Sequence, residues 1–223
     1  MAFHVEKQSR NYVENVVTVK DLGNRRGECK VTQQEHPLTR KIRILEDPAR
    51  QTSLPAEYVL ELAGMSESAS VLDVGAGTGY VTIPAAKRTS GTVYALDLDQ
   101  EILHYLDEKA KQAGIKNVKQ VVGNFTQIPL EDELVDLAIA SLSLHEVAAL
   151  QTALEEIHRV LKADGSFVCV EFEPQAGTKK SRVDSASMTE QFVQAGFTIK
   201  EKINPQATFL DEDLYIIIAQ KSK

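Results

Sequence analysis

Short apolar runs alternate with helix-like segments from about residue 70 to the end of the chain. Val71–Val74 and Leu134–Ser141 are almost uninterrupted apolar runs, as expected of strands buried on both faces of a parallel sheet. The segment after Asp99 places its apolar residues at helical spacing and ends at Gly114. The predicted strands are Val71–Val74, Thr92–Leu96, Val118–Val122, Leu134–Ser141, Ser166–Phe172, Phe197–Ile203 and Leu214–Gln220, with the last two as a hairpin-like pair.

This alternation predicts an α/β fold. It indicates an open, doubly wound and mostly parallel sheet with helices on both faces. The predicted helices are Ala56–Ala63, Tyr80–Lys87 and Met188–Ala195, together with two amphipathic segments whose apolar stripes run from Ile102 to Ala113 and from Leu150 to Leu161. Sheets of this kind bind ligands beyond the carboxyl ends of their strands, so candidate chemistry is expected there.

The first 50 residues lack this alternation. They are polar and weakly periodic, and they are net basic although the chain as a whole is acidic. We therefore divide the chain into an N-terminal extension or cap, residues 1–50, and a folded domain, residues 51–223. A second polar stretch, Glu173–Ser187, interrupts the alternation, and connections of this length inside a compact domain are often functional.

Composition places the chain among folded globular proteins. Of its 223 residues, 43% are apolar and 26% are charged, and the formal net charge is −7. The acidic balance argues against nucleic acid as a partner, because nucleic-acid-binding proteins present a basic face. The two cysteines are too few for a disulfide framework, and no apolar run approaches the roughly 20 residues of a membrane span. We expect a cytoplasmic protein that acts on a small molecule without a metal, while its oligomeric state stays open.

The strongest chemical signal is a glycine loop, Gly75–Tyr80, within the sequence DVGAGTGY. Three glycines alternate with small residues directly after the first predicted strand. Glycine permits unusual backbone angles and lets a ligand approach the main chain closely. Asp97 ends the second predicted strand about 20 residues further on, where an acid can accept both hydroxyls of a ribose. Asp99 is better placed to cap the following helix.

The glycine spacing favours a nucleoside ligand other than a dinucleotide. Dinucleotide sites usually read G-x-G-x-x-G and hold a pyrophosphate at the loop, whereas here the third glycine comes one residue early. Asp73, just before the loop, would repel a pyrophosphate and would suit a ligand with an ammonium or sulfonium charge. The pattern therefore favours S-adenosyl-L-methionine (SAM) as the cofactor, with a NAD-dependent oxidoreductase as the alternative.

The motifs DVGAGTG, ALDLD, GNF, LVDLAIASLSLHEV and RVLKADGSFVCVEF resemble, in this order, those of class I SAM-dependent methyltransferases. The resemblance covers roughly residues 38–220 and is greatest to the small-molecule group that includes ubiquinone and menaquinone methyltransferases. It implies a Rossmann-like, seven-stranded sheet with an antiparallel last strand, and methyl transfer to an unidentified small molecule. A methyltransferase-like protein that binds the nucleoside without catalysis is a further alternative.

The resemblance also implies roles for individual residues. Asp73 would lie near the amino group of the donor, Asp97 would hold the ribose and Leu98 would back the adenine. Asn124 stands where relatives often have aspartate, and its side-chain oxygen can still accept from the adenine amino group. Phe125 would stack on the ring or pack in the core. The predicted cofactor contacts are Asp73, Gly75, Ala76, Gly77, Gly79, Tyr80, Asp97, Leu98, Asn124, Phe125 and Ser141.

The methyl-transfer chemistry is expected where the fourth predicted strand ends. His145 is the candidate catalytic base or substrate ligand, and the alternative is a histidine that bonds to the backbone and shapes its loop. Glu171 and Glu173, at the exit of the fifth strand, are further candidates to face the pocket. Contacts to the acceptor are expected from residues 1–50 and from the Glu173–Ser187 stretch, which contains Lys179, Lys180 and Arg182.

Overall fold

A computed structural model describes residues 35–175, 177 and 181–222 of the chain. The chain divides into two compact units, Met1–Glu46 and Asp47–Lys223. In the described part of the first unit, helix α1 (Pro37–Leu45) begins with a proline after His36, whose ring accepts from the Leu38 N–H. The predicted division after residue 50 stays a prediction.

The second unit carries the alternating helices and strands. Its helices are α2 (Pro48–Ser53), α3 (Ala56–Leu62), α4 (Thr82–Arg88), α5 (Gln100–Gln112), α6 (Leu150–Val160) and α7 (Ser185–Gln194). Its strands are β1 (Val71–Val74), β2 (Val93–Asp97), β3 (Val118–Val122), β4 (Val135–Ser141), β5 (Leu161–Phe172), β6 (Phe197–Ile203), β7 (Thr208–Phe209) and β8 (Glu212–Lys221). A short 3-10 turn, Leu144–Glu146, follows β4. Among the described residues, no helix has both the length and the apolar character that crossing a membrane requires.

The strands form one sheet in the order β3-β2-β1-β4-β5-β8-β6, with β7 paired to β8. The neighbouring pairs from β3 to β5 are parallel. Strand β8 lies between β5 and β6 and is antiparallel to both, which confirms the predicted mostly parallel fold and the pairing of the last two long strands. The strand order reverses between β1 and β4, so the carboxyl ends of these two strands are where a ligand is expected.

Each face of the sheet is covered by its own helices. Leu72 and Val74 of β1 belong to an apolar core that includes residues of α6 and α7, whereas Val71 belongs to a second core with residues of α3 and α4. Because side chains alternate between faces along a strand, Asp73 points to the same face as Val71. There it meets Thr82, the first residue of α4.

Two elements begin at least three residues before their predicted start, and several other boundaries differ by one or two residues. Strand β5 begins at Leu161 rather than Ser166, because the predicted turn is a bulge inside the strand. Asp164 adopts a positive φ of 62° there, and the pairing with β4 shifts register. Helix α7 begins at Ser185, earlier than predicted, because the Asp184 side chain accepts from the first free N–H groups and caps it.

Candidate functional site

The glycine loop makes a close turn at the carboxyl end of β1. The N–H groups of Gly75 and Ala76 both donate to the Leu96 carbonyl at 2.9 Å, which ties the loop to β2. Gly75 has a φ of 79°, and a Cβ atom there would lie 2.5 Å from the Cβ of Ser143. A side chain at this position therefore does not fit between the loop and the segment that follows β4.

Asp97 connects the end of β2 to the glycine loop. One of its carboxylate oxygens accepts from the Gly77 N–H at 3.0 Å, and the other accepts from the Asp99 N–H at 2.9 Å. Each oxygen retains acceptor capacity for a ligand. Asp99 itself accepts from the Glu101 and Ile102 N–H groups and caps α5, as the sequence predicts.

Asp73 places a second carboxylate near the loop, in a buried position. Its side chain is 2% exposed and accepts from the Thr82 hydroxyl at 2.6 Å. Burial raises the pKa of Asp73 to about 6, although the Thr82 hydrogen bond and the charge of Arg50 oppose this shift and the charge of Asp97 adds to it. A buried acid with a raised pKa stabilises a cation that reaches it far more than an exposed acid does.

Arg50 is a site residue that sequence analysis missed, because it fell within the polar N-terminal extension. Its Nη2 atom donates to the carbonyl and hydroxyl oxygens of Ser141 at 2.9 and 3.1 Å. Its guanidinium carbon lies 4.0 Å from the centroid of the Tyr80 ring. Burial lowers the pKa of Arg50, and its Nε atom has no hydrogen-bond partner among the described residues. The Tyr80 hydroxyl donates to the Leu54 carbonyl, so both side chains hold the α2–α3 segment against the loop.

The residues predicted to contact adenine lie at the carboxyl ends of β2 and β3. Leu98 is 65% exposed, which is unusual for a leucine inside a folded domain. The Phe125 ring reaches the loop, since a Cβ atom at Gly75 would lie 3.2 Å from its Cζ atom. The Asn124 side-chain oxygen accepts from the Thr126 N–H at 3.0 Å and so already closes a local turn. Asn124 also lines a surface cleft of about 580 Å³ that extends to α6.

His145 lies on the 3-10 turn after β4 and contacts a buried carboxylate. Its Nδ1 atom lies 2.8 Å from Glu171 Oε2. The other oxygen, Oε1, accepts from the N–H groups of Leu144 and His145 at 2.7 and 3.3 Å. Glu173 instead accepts from the Ser185 N–H at the start of α7. Glu171 and Glu173, the two candidate acids at the exit of β5, therefore have different hydrogen-bond partners.

Ser143 joins the turn that carries His145 to the glycine loop. Its hydroxyl donates to the Val74 carbonyl at 2.6 Å, one residue before Gly75. The ends of β1, β2 and β4 thus meet at one edge of the sheet. The structure brings together at this edge the predicted residues Asp73, Gly75, Ala76, Gly77, Tyr80, Asp97, Phe125, Ser141 and His145.

The residues predicted to contact the acceptor are only partly described. Lys179 and Lys180 lie outside the described residues, as do residues 1–34. Arg182 forms a buried bidentate ion pair with Glu212, with N–O distances of 3.0 Å, and its guanidinium carbon lies 4.2 Å from the Phe172 ring centroid. It therefore anchors the segment before α7 within the protein.

Comparison with known proteins shows which proteins this chain is similar to. Residues 72–169 match the family model described as a methyltransferase domain. Over 115 residues the chain is 35% identical to the demethylmenaquinone methyltransferase of Geobacillus stearothermophilus, a match that covers 51% of this chain and 49% of that protein. The chain thus spans about half the length of the curated relatives it matches.

Solved structures extend the similarity beyond the matched segment. A SAM-dependent methyltransferase from Aquifex aeolicus aligns with a TM-score of 0.73 and 26% identity, over 81% of this chain and 97% of that one. The [4+2]-cyclase SpnF aligns with a TM-score of 0.69 over 75% of this chain and 80% of that one, but its 21% identity shows the fold alone. These comparisons confirm the predicted Rossmann-like fold. They also show that the chain is similar to SAM-dependent methyltransferases, which supports SAM as the cofactor.

We predict that Asp73→Asn stabilises the ligand-free protein at neutral pH. The folded-state pKa of about 6 exceeds the ordinary value of 3.8, so stability present below about pH 4 is lost as pH rises through 6. The amide carries no charge, so at pH 7 the free energy of unfolding of the variant should exceed that of the wild type by up to about 3 kcal/mol. Urea unfolding at pH 4 and pH 7 measures the difference, which should be near zero at the lower pH. A less stable variant at pH 7 would mean that the attraction to Arg50 outweighs burial.

Proposed function

We propose that this chain binds SAM at the glycine loop and transfers its methyl group to a small molecule held beside His145. The observation that carries the proposal is the charge around the loop. Two carboxylates, Asp73 and Asp97, and one buried guanidinium, Arg50, surround a backbone turn that only glycine fits. This set matches a ligand that combines an ammonium, a carboxylate and a ribose.

Each charged group has a distinct partner in the donor. Asp97 accepts from the ribose hydroxyls, using the acceptor capacity that Gly77 and Asp99 leave. We assign Asp73 to the ammonium group, because opposite charges in a buried site attract strongly. Arg50 is suited to the carboxylate, because its Nε atom is buried without a partner among the described residues and a buried unpaired donor is costly.

The same charges disfavour a dinucleotide. A pyrophosphate at this loop would lie near both Asp73 and Asp97, and like charges in a partly buried site repel. The exposed Leu98 offers an apolar surface for the adenine, and Phe125 closes the other end of the loop. Asn124 would add a contact through its amide.

The acceptor class is proposed from the matched relative. The demethylmenaquinone methyltransferase named above is 35% identical over half of this chain, and a reduced quinone ring is a small, electron-rich acceptor. A protein that keeps the fold and performs other chemistry is the alternative, because a cyclase shares this architecture.

We expect the purified protein to bind SAM about a hundredfold more tightly than NAD, which corresponds to roughly 3 kcal/mol. Titration calorimetry with each compound measures the ratio. Mass spectrometry should then detect methyl transfer to demethylmenaquinol but not to the oxidised quinone, whose electron-poor ring is not a nucleophile. Tighter binding of NAD would overturn the proposal, and SAM binding without any transfer would favour the alternative.

We expect Asp97→Ala to weaken SAM binding by roughly 1.5–3 kcal/mol, the scale for hydrogen bonds to a charged group. The variant also loses the bonds to Gly77 and Asp99, so unfolding is measured alongside calorimetry. Asp99→Ala is the matched control, because it removes the α5 cap and should cost about 1 kcal/mol of stability while leaving SAM affinity nearly unchanged. Equal losses of affinity in both variants would remove Asp97 from the ribose site.

We expect Arg50→Met to weaken binding of SAM but to leave binding of decarboxylated SAM nearly unchanged. The decarboxylated compound lacks the group that we assign to Arg50, and methionine keeps an apolar stem against Tyr80. Calorimetry with both compounds separates a lost contact from a disturbed loop. An equal loss for both would show that Arg50 acts only by holding Ser141 and Tyr80 in place.

A further inference from the structure

We infer that Glu171 and His145 form a pair in which the His145 Nε2 atom removes a proton from the methyl acceptor. This inference rests on the proposed function. The acceptor is then a molecule whose nucleophile is freed by loss of a proton, of the phenolic or enolic hydroxyl class. In this pair His145 is the catalytic residue, and Glu171, which acts through the ring, is a positioning residue.

The hydrogen bonds of Glu171 favour the His145 tautomer that carries its proton on Nδ1. The N–H groups of Leu144 and His145 can only donate, so Oε1 is an acceptor. The Phe172 N–H is directed at Oε2 from 3.4 Å, and the His145 Nδ1 atom lies 2.8 Å from it. With donors on both oxygens the carboxylate accepts from Nδ1–H, and Nε2 keeps its lone pair.

The Nε2 atom is available to a ligand. It makes no hydrogen bond to any residue in the described ranges. The His145 side chain is 15% exposed, and its ring packs against Phe172 edge to face with centroids 5.5 Å apart. Glu171 on one side and Phe172 on another thus hold the ring in one orientation. A ring fixed in this way is pre-organised to accept a proton from a bound molecule.

The pair lies beside the donor loop. Ser143, two residues before His145, donates to the Val74 carbonyl at the start of the loop. In the transfer step the acceptor's nucleophilic atom bonds to the methyl carbon, the methyl–sulfur bond breaks and its electron pair stays on sulfur. The hydroxyl proton of the acceptor passes to Nε2. Where the nucleophile is a ring carbon, the hydrogen on that carbon then moves to the oxygen, which restores the aromatic ring and its hydroxyl. Glu171 then stabilises the positive charge that the ring gains.

Several charged groups surround the pair and influence its titration. From α2, Arg50 acts electrostatically on Glu171. Before α7, Arg182 covers the outer side of Phe172 and is neutralised by Glu212 of β8. On the turn itself, Glu146 is exposed. Asp73 titrates in the donor site, so kinetic pH profiles are recorded at saturating SAM.

The test exchanges the carboxylate for an amide. In Glu171→Gln the side-chain oxygen still accepts from the Leu144 and His145 N–H groups, but the amide nitrogen now donates to Nδ1 and moves the ring proton to Nε2. We expect kcat for demethylmenaquinol to fall on the order of 10²-fold or more, the usual contribution of a positioned base. His145→Asn should lose a similar factor. Glu155→Gln is the matched control and should retain wild-type kcat, because Glu155 is exposed on α6 and its side chain accepts from Gln151 there.

A second readout needs no activity. Nitrogen-15 NMR of histidine-labelled protein should show His145 protonated on Nδ1 in the wild type and on Nε2 in Glu171→Gln, with SAM affinity within about threefold as the check on folding. The wild-type kcat should rise with pH, because only the neutral ring can accept the proton, and both variants should lose this rise.

The outcomes separate the inference from the proposed function. A wild-type ring protonated on Nε2, or a Glu171→Gln variant with wild-type kcat, would overturn the inference while methyl transfer stands. SAM binding without methylation of demethylmenaquinol would overturn the acceptor class named here. Failure of the wild type to bind SAM would refute the proposed function instead.

Discussion

A buried carboxylate at the centre of the sheet, Asp73, is the constraint on which the site depends. It lies in β1 two residues before the glycine loop, and burial opposes its charge. Thr82 offsets part of this cost from α4, and Arg50 offsets another part from α2. The α2–α3 segment is therefore held against the loop by the same charges that we assign to ligand binding. Residues placed for function are commonly a source of instability that binding relieves.

Much of the fold could be predicted because its signals are local. Parallel strands buried on both faces read as continuous apolar runs, and β1 matches its predicted bounds. The N-cap of α5 could be predicted from a single residue, Asp99. The glycine loop is equally local, since its positive φ angles and its contact with Ser143 demand glycine. Boundaries were wrong where a bulge replaced a turn, because Asp164 suits both conformations.

The contacts that charged side chains make within the site could not be predicted, because they join residues far apart in sequence. Arg50 and Ser141 are 91 positions apart, and His145 and Glu171 are 26 apart. The sequence placed Glu171 and Glu173 together as equivalent candidates, whereas the turn after β4 and the start of α7 give them different partners. Asp97 also holds the loop through Gly77, a structural role that its position at a strand end does not reveal.

One part of the site follows from the fold, and the residues of the other part are not determined by the fold. The loop, Asp73 and Asp97 follow from the meeting of β1 and β2, so proteins of this architecture can share a nucleoside pocket whatever they catalyse. The residues after β4 and at the end of β5 are not dictated by that meeting, and in this chain they supply an oriented imidazole. The Nε2 atom of this imidazole makes no hydrogen bond within the described ranges, and binding a nucleoside does not require it. It is useful where an acceptor must lose a proton as it gains a methyl group, which is why the identity of the acceptor is sought at this end of the sheet.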